Sequence, residues 1–115
     1  MAIDTLLKQL KNNPNQIAFS DVMQAIDENY HFMETAFKNG LQHNKAGENS
    51  GSCKVFSFAI LHTLDQQQTL ALFGEYYRED VLKNPHGNDH QNIRQFMQQG
   101  FAGISFEQQA LTPKT

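Results

Sequence analysis

One cysteine and five histidines carry most of the side-chain chemistry available to this chain of 115 residues. Cys53 follows a Gly-Ser pair and precedes Lys54-Val55, where a helix is expected to begin. A helix N-terminus and a neighbouring lysine both lower a thiol's pKa and make it nucleophilic. Such a nucleophile needs a base. His90, at the start of the last expected helix, fits that role, with Asn92 or Asp89 to orient it. The plainer reading of Cys53 is a small, inert core residue, the usual fate of a lone cysteine.

Three further patterns bear on chemistry. His86 and His90 stand four apart, as a helical metal pair would, but Pro85 and Gly87 put His86 in a turn, so two solvent-facing histidines are expected and no metal site. The run Gly47-Glu48-Asn49-Ser50-Gly51-Ser52 lacks the Lys-Ser/Thr of a nucleotide-binding P-loop and has no preceding strand. A Gly-Ser-rich turn leading into a helix still presents free N–H groups that can bind an anion, with an ordered structural turn as the alternative. The chain has two arginines, Arg78 and Arg94, each expected in a helix and suited to act as a bidentate anchor. No cofactor motif is present.

The elements that must position these residues follow from hydrophobic spacing. Ile3, Leu6, Leu7 and Leu10 mark an amphipathic helix over 1–12, ended by Asn12-Asn13-Pro14. Phe19, Val22, Met23 and Ile26 mark a second over 21–29, with Ser20 as its N-cap. Tyr30–Met33 breaks the period, and Glu34–Lys38 is read as one short helical turn stopped by Asn39-Gly40. Residues 39–52 read as one polar loop of about fourteen residues, a length that in compact domains points to function or disorder. The run VFSFAILHTL is apolar nearly all round, so periodicity leaves helix and strand both open, and helix over 54–64 is favoured for want of strand partners. Asp65 caps a helix over 66–83 with Leu70, Phe73, Tyr77 and Val81 on one face, and Gly74 within it suggests a close crossing. A last helix over 89–99 ends at Gly100, residues 101–106 pack back on the bundle, and 107–115 fray. The expected architecture is one all-α domain of about five helices with one long polar loop.

Composition narrows the functional classes. The chain is 39% hydrophobic with a net charge of −3, and its nine basic residues are scattered from Lys8 to Lys114. No basic stripe exists to neutralise phosphates, so nucleic acid is not an expected partner. No apolar run nears the twenty residues of a membrane span, and no secretory leader is visible at the N-terminus. A lone cysteine fits a reducing cytosol. Nine phenylalanines and few charges leave a homodimer open.

Three segments, NGLQHNKAGENSGSCKVFSFA, LFGEYYREDVL and PHGNDHQNIRQFMQQGFAGISF, resemble the HopJ family of proposed type III effector proteins. The likeness runs from about Leu6 to Leu111. The family is a set of small bacterial proteins with no agreed activity, catalytic residue or cofactor to carry over. The resemblance implies injection through a type III secretion apparatus into a host cell, where a host protein would be the partner. Residues 1–12, serine-free and helical in pattern, suit instead a resident role in the bacterial cytoplasm. The resemblance is densest at Asn49–Lys54 and His90–Arg94, which are too polar to serve core packing alone.

These readings converge on one candidate site, in which the loop folds over the start of the last helix. As a binding or interaction protein, the chain would use a polar cleft of Asn49, Ser52, Cys53, Lys54, Tyr77, His90, Asn92 and Arg94, with an unknown small molecule as ligand. As a small enzyme, it would use Cys53 or His90 as catalytic residues.

Overall fold

The computed structural model describes residues 2–114; Met1 and Thr115 lie outside them. The fold is mixed α/β, which corrects the all-α expectation: five short strands form two antiparallel sheets beside the helices. Among the described residues no helix is long and apolar enough to cross a membrane.

Helix α1 (Ile3–Asn12) buries Leu6 and Leu10. Helix α2 (Phe19–Asn29) begins two residues earlier than its pattern suggests. Ser20 therefore lies inside it. The first-turn N–H of Phe19 is capped in trans by Glu75 Oε1, at 2.8 Å. Strand β1 (Tyr30–Phe32) continues directly from α2. It pairs with the last strand, β5 (Leu111–Pro113), in the register His31 to Thr112. The tail expected to fray is thus anchored, with Ala110 and Leu111 in the core.

Strands β2 (Phe37–Asn39) and β3 (Gln42–Asn44) form a hairpin, and β4 (Ile104–Phe106) completes the order β3-β2-β4. Gly40, with φ +58°, is the first residue of the two-residue turn, where hairpin twist favours glycine. The helical turn expected over Glu34–Lys38 is therefore partly strand. The rings of Phe37 and Phe106 stack across β2 and β4 at 5.0 Å. The long polar loop is also much shorter than the sequence suggests. Its first part is the hairpin, a turn closes between Lys45 and Glu48, and its last residues already belong to helix α3 (Ser50–Leu61).

α3 is the central element, apolar on most sides because it is covered on most sides. Phe56, fully buried, meets Phe37, Phe73 and Phe96 with ring centroids 5.0 to 6.2 Å away. Helix α4 (Gln66–Ala71) starts with a reciprocal capping box between Asp65 and Gln68, as expected for Asp65. The helix drawn from 66 to 83 is in fact interrupted. Gly74 takes φ +59°, and a Cβ there would lie 2.6 Å from the backbone nitrogen of Phe19. The chain then resumes as a π-helix, Tyr76–Val81, and Arg78 ties it to α2's approach by donating to the Ile17 carbonyl at 2.7 Å. Helix α5 (Gln91–Gln99) stops at Gly100 as expected, but with φ +60° and ψ −153° this glycine lies outside the left-handed helical region of the expected C′ role, in backbone that only glycine adopts readily.

Candidate functional site

The starts of α3 and α5 open onto one cleft of about 360 Å³. Asn49, Gly51 and Ser52 come to it from α3, and His90, Gln91 and Asn92 from α5. Phe19, Phe73 and Tyr76 supply its aromatic side, and Gln42 of β3 also lines it. Both helix starts break the same local rule. The N-cap residues Asn49 and His90 adopt left-handed backbone, with φ of 51° and 49°, and neither side chain caps its helix. Asparagine tolerates that conformation, whereas for histidine it costs about 1–2 kcal/mol. The leading N–H groups of each helix have no acceptor within the helix. Their partial positive charge adds to the helix dipole at the cleft.

An asparagine network fixes the two starts relative to each other. Asn44 and Asn92 form a reciprocal amide pair, with Nδ2 of each donating to Oδ1 of the other at 3.1 and 3.0 Å. Asn49 Nδ2 donates to the same Asn44 Oδ1 at 2.7 Å. Asn39 Nδ2 donates to the Asn92 carbonyl at 2.7 Å and to its Oδ1 at 3.1 Å. Hairpin and both helix starts thus share one hydrogen-bond system, buried at Asn39, Asn44 and Asn92. Among the described residues, Asn39 Oδ1 is buried without a partner.

His90 is held on two sides. Its ring stacks on Tyr76, with centroids 5.1 Å apart and planes 25° from parallel, and Nε2 lies 3.0 Å from Asp80 Oδ2. Tyr76 and Asp80 both belong to the π-helix, an irregularity common at functional sites. Asp89 is the other carboxylate near His90, at 4.0 Å. The Arg94 guanidinium, 2.6 Å from Asp89, holds that carboxyl below its usual range.

The residues expected at the site divide into two groups. Asn49, Ser52, His90 and Asn92 line the cleft. Cys53, Lys54, Tyr77 and Arg94 do not. Cys53 is buried in the core. Burial pushes its thiol pKa up, against weaker lowering by the Thr35 backbone, Ser57 and Lys54, so the sulfur stays protonated at neutral pH. Lys54 turns to Asp27 at 2.8 Å and lies over the Phe32 ring. Tyr77 faces a different groove, beside Leu10 and Pro14. Arg94 anchors the loop before α5, donating to the carbonyls of Asp89 and Asn84 at 2.6 and 2.9 Å. His86 is exposed, and among the described residues no cluster of three or more His, Cys, Asp or Glu is placed to hold a metal ion.

No motif in the sequence marks Tyr76, Phe19, Gln42, Gln91, Asn39 or Asn44 for the site. Tyr76 was displaced by the assumption of unbroken helical phase, which puts Tyr77 on the inner face instead. Asn39 and Asn44 carried a signal in retrospect. They are two of ten asparagines, one on each strand of the hairpin, Asn39 opposite Gln42 and Asn44 opposite Phe37, but no strand is expected there from the sequence.

Arranged in this way, the cleft can hold hydrogen-bond acceptors at two helix starts, apolar groups against Phe19 and Phe73, and a proton at His90. The comparisons with known proteins give no ligand. No curated protein matches the chain. A solved structure, described as the crystal structure of unknown function protein VPA0580, is 51% identical with a TM-score of 0.97, over 99% of this chain and 95% of that one. The profile of the HopJ type III effector protein family matches residues 3–111, nearly the whole chain, and this chain therefore belongs to that family.

Proposed function

We propose that this chain is a binding protein for a small molecule rich in hydrogen-bond acceptors, such as a carboxylate or a phosphate ester, held in the cleft between α3 and α5. The observation that carries the reading is the convergence of two helix starts without side-chain caps on one cleft. Backbone N–H groups at a helix start suit an anionic or carbonyl oxygen. The lining side chains carry no fixed charge apart from what His90 takes up, so the polarity comes mainly from backbone and amides. Phe19 and Phe73 give the apolar part of the ligand a surface.

The test is an NMR titration of the amide groups of Ser50–Ser52 and Gln91–Asn92 against panels of carboxylates and phosphate esters. Shifts confined to those two segments, and lost in Asn92→Ala, support the reading. Silence of both segments at millimolar concentrations of every compound refutes it.

Family membership brings in delivery to a host cell, where a host protein would be the partner of the loaded or empty form. Export through a type III apparatus requires an unfolded N-terminus. Helix α1, however, contributes Leu6 and Leu10 to the core, so export would have to precede folding or undo it. A secretion assay on residues 1–25 fused to a reporter decides between this route and a resident cytoplasmic role: secretion supports delivery, and retention removes it.

A further inference from the structure

We infer that the cleft also hydrolyses a small carboxylic ester, with His90 as its general base; this rests on the cleft being the ligand site. Four observations meet at His90. The residue lines the cleft, its backbone is held in the left-handed region, Tyr76 stacks on its ring, and Nε2 engages Asp80 at 3.0 Å. A carboxylate accepting from Nε2–H fixes the neutral tautomer and leaves Nδ1 with the lone pair that can accept a proton. Asp80 is therefore a positioning residue, and it also stabilises the imidazolium that forms.

Among the described residues no hydrogen bond joins Ser52 to His90. The group that His90 deprotonates is consequently one that enters the cleft, and we assign it to water. His90 Nδ1 takes a proton as the water oxygen bonds to the ester carbonyl carbon. The carbon–oxygen bond to the alcohol then breaks, and the imidazolium returns the proton to the leaving oxygen. Ester and water give carboxylic acid and alcohol, and His90 ends neutral. Negative charge gathers on the carbonyl oxygen meanwhile, and the open N–H groups of the helix starts are donors of the kind that stabilise it. A short acyl chain fits against Phe19 and Phe73.

The test uses the full chain with p-nitrophenyl acetate and butyrate between pH 6 and 9. Saturable hydrolysis is expected, with kcat/KM falling about 100-fold in His90→Gln and His90→Gly. The glycine variant suits the left-handed backbone and so keeps the fold. His43→Gln, on an exposed strand residue, should leave the rate unchanged. Asp80→Asn should lower kcat with KM little changed, because Nε2–H loses the carboxylate that fixes the ring's orientation; Asp89 remains 4.0 Å away, held by Arg94. Butyrate, the product, is titrated by NMR on the same samples. Butyrate binding with wild-type rates equal to those of both His90 variants overturns the base while leaving the binding reading intact. Neither binding nor saturable hydrolysis overturns both.

Discussion

Asn44→Ala probes what holds the cleft together. The Asn44 side chain makes four hydrogen bonds: it donates to the Phe37 carbonyl and Asn92 Oδ1, and accepts from Asn92 Nδ2 and Asn49 Nδ2. Each is worth about 1 kcal/mol net, and the buried Nδ2 of Asn92 loses its acceptor in the variant, which adds about 1 kcal/mol or more. The expected loss is about 5 kcal/mol, read as a lowered midpoint in urea denaturation at unchanged slope. Asn92→Ala should cost less, about 2–3 kcal/mol, because each of its partners keeps another. Asn39 still reaches the residue 92 carbonyl, Asn44 Nδ2 still reaches Phe37, and Asn44 Oδ1 still receives Asn49. The two substitutions remove the same two bonds, so the double variant should fall short of their sum by about 2 kcal/mol. Additive losses, within about 0.5 kcal/mol, would refute the network as a coupled unit.

Other perturbations test separate parts of the structure. Gly74→Ala forces a side chain into left-handed backbone and against the Phe19 nitrogen, and should destabilise by about 2–4 kcal/mol in thermal or urea unfolding. Cys53 should react with iodoacetamide about 100-fold more slowly in the native protein than in urea, since attack waits on opening of the core. Stability should be greatest between about pH 6.5 and 9. Burial holds His62 below its ordinary 6.5, so the unfolded chain binds a proton there more readily and stability falls as pH drops below that value. Burial raises Cys53 above 9.0 and Tyr30 above 10.0, so the unfolded chain loses protons first and stability falls again on the alkaline side. His62→Gln, measured by urea midpoint against pH, should flatten the acid limb above pH 5; an unchanged limb would assign it to other groups.

Helices were the legible part of the sequence, because each carries several turns of a repeating apolar stripe. α1, α2 and α5 were placed to within two residues at their starts or ends, and Asp65 announced its cap. The strands were not legible for a physical reason. Each is three residues long, too short for alternation to show, and β2 and β5 pair with segments far along the chain. The site was half legible. Polar residues at helix starts could be named from their type, whereas which way each side chain turns depends on phase. One glycine with φ +59° at position 74 and a π-helix after it reset that phase, exchanging Tyr77 for Tyr76. Lys54 and Arg94 were chosen for their charge, and the fold uses that charge on Asp27 and Asp89 instead.

The distribution of irregularities argues that the cleft was not left over from packing. Elsewhere the chain departs from local rules less often: α4 has a full capping box and α5 stops at a glycine, while α1 and α2 also begin without side-chain caps and Thr63 takes φ +53°. Around the cleft it departs from them repeatedly. Two N-caps are left-handed, neither helix start is capped by a side chain, a π-helix replaces a regular turn, and among the described residues a buried amide oxygen on Asn39 has no partner. Each departure costs stability, and strain persists only where surrounding contacts over-determine it. Here those contacts are the four asparagines and the Tyr76–His90–Asp80 stack. A domain that needed only to fold could put a capping side chain at position 90 and an apolar pair at 44 and 92. Retaining the costlier arrangement is the pattern expected where backbone donors must stay open to something that comes and goes.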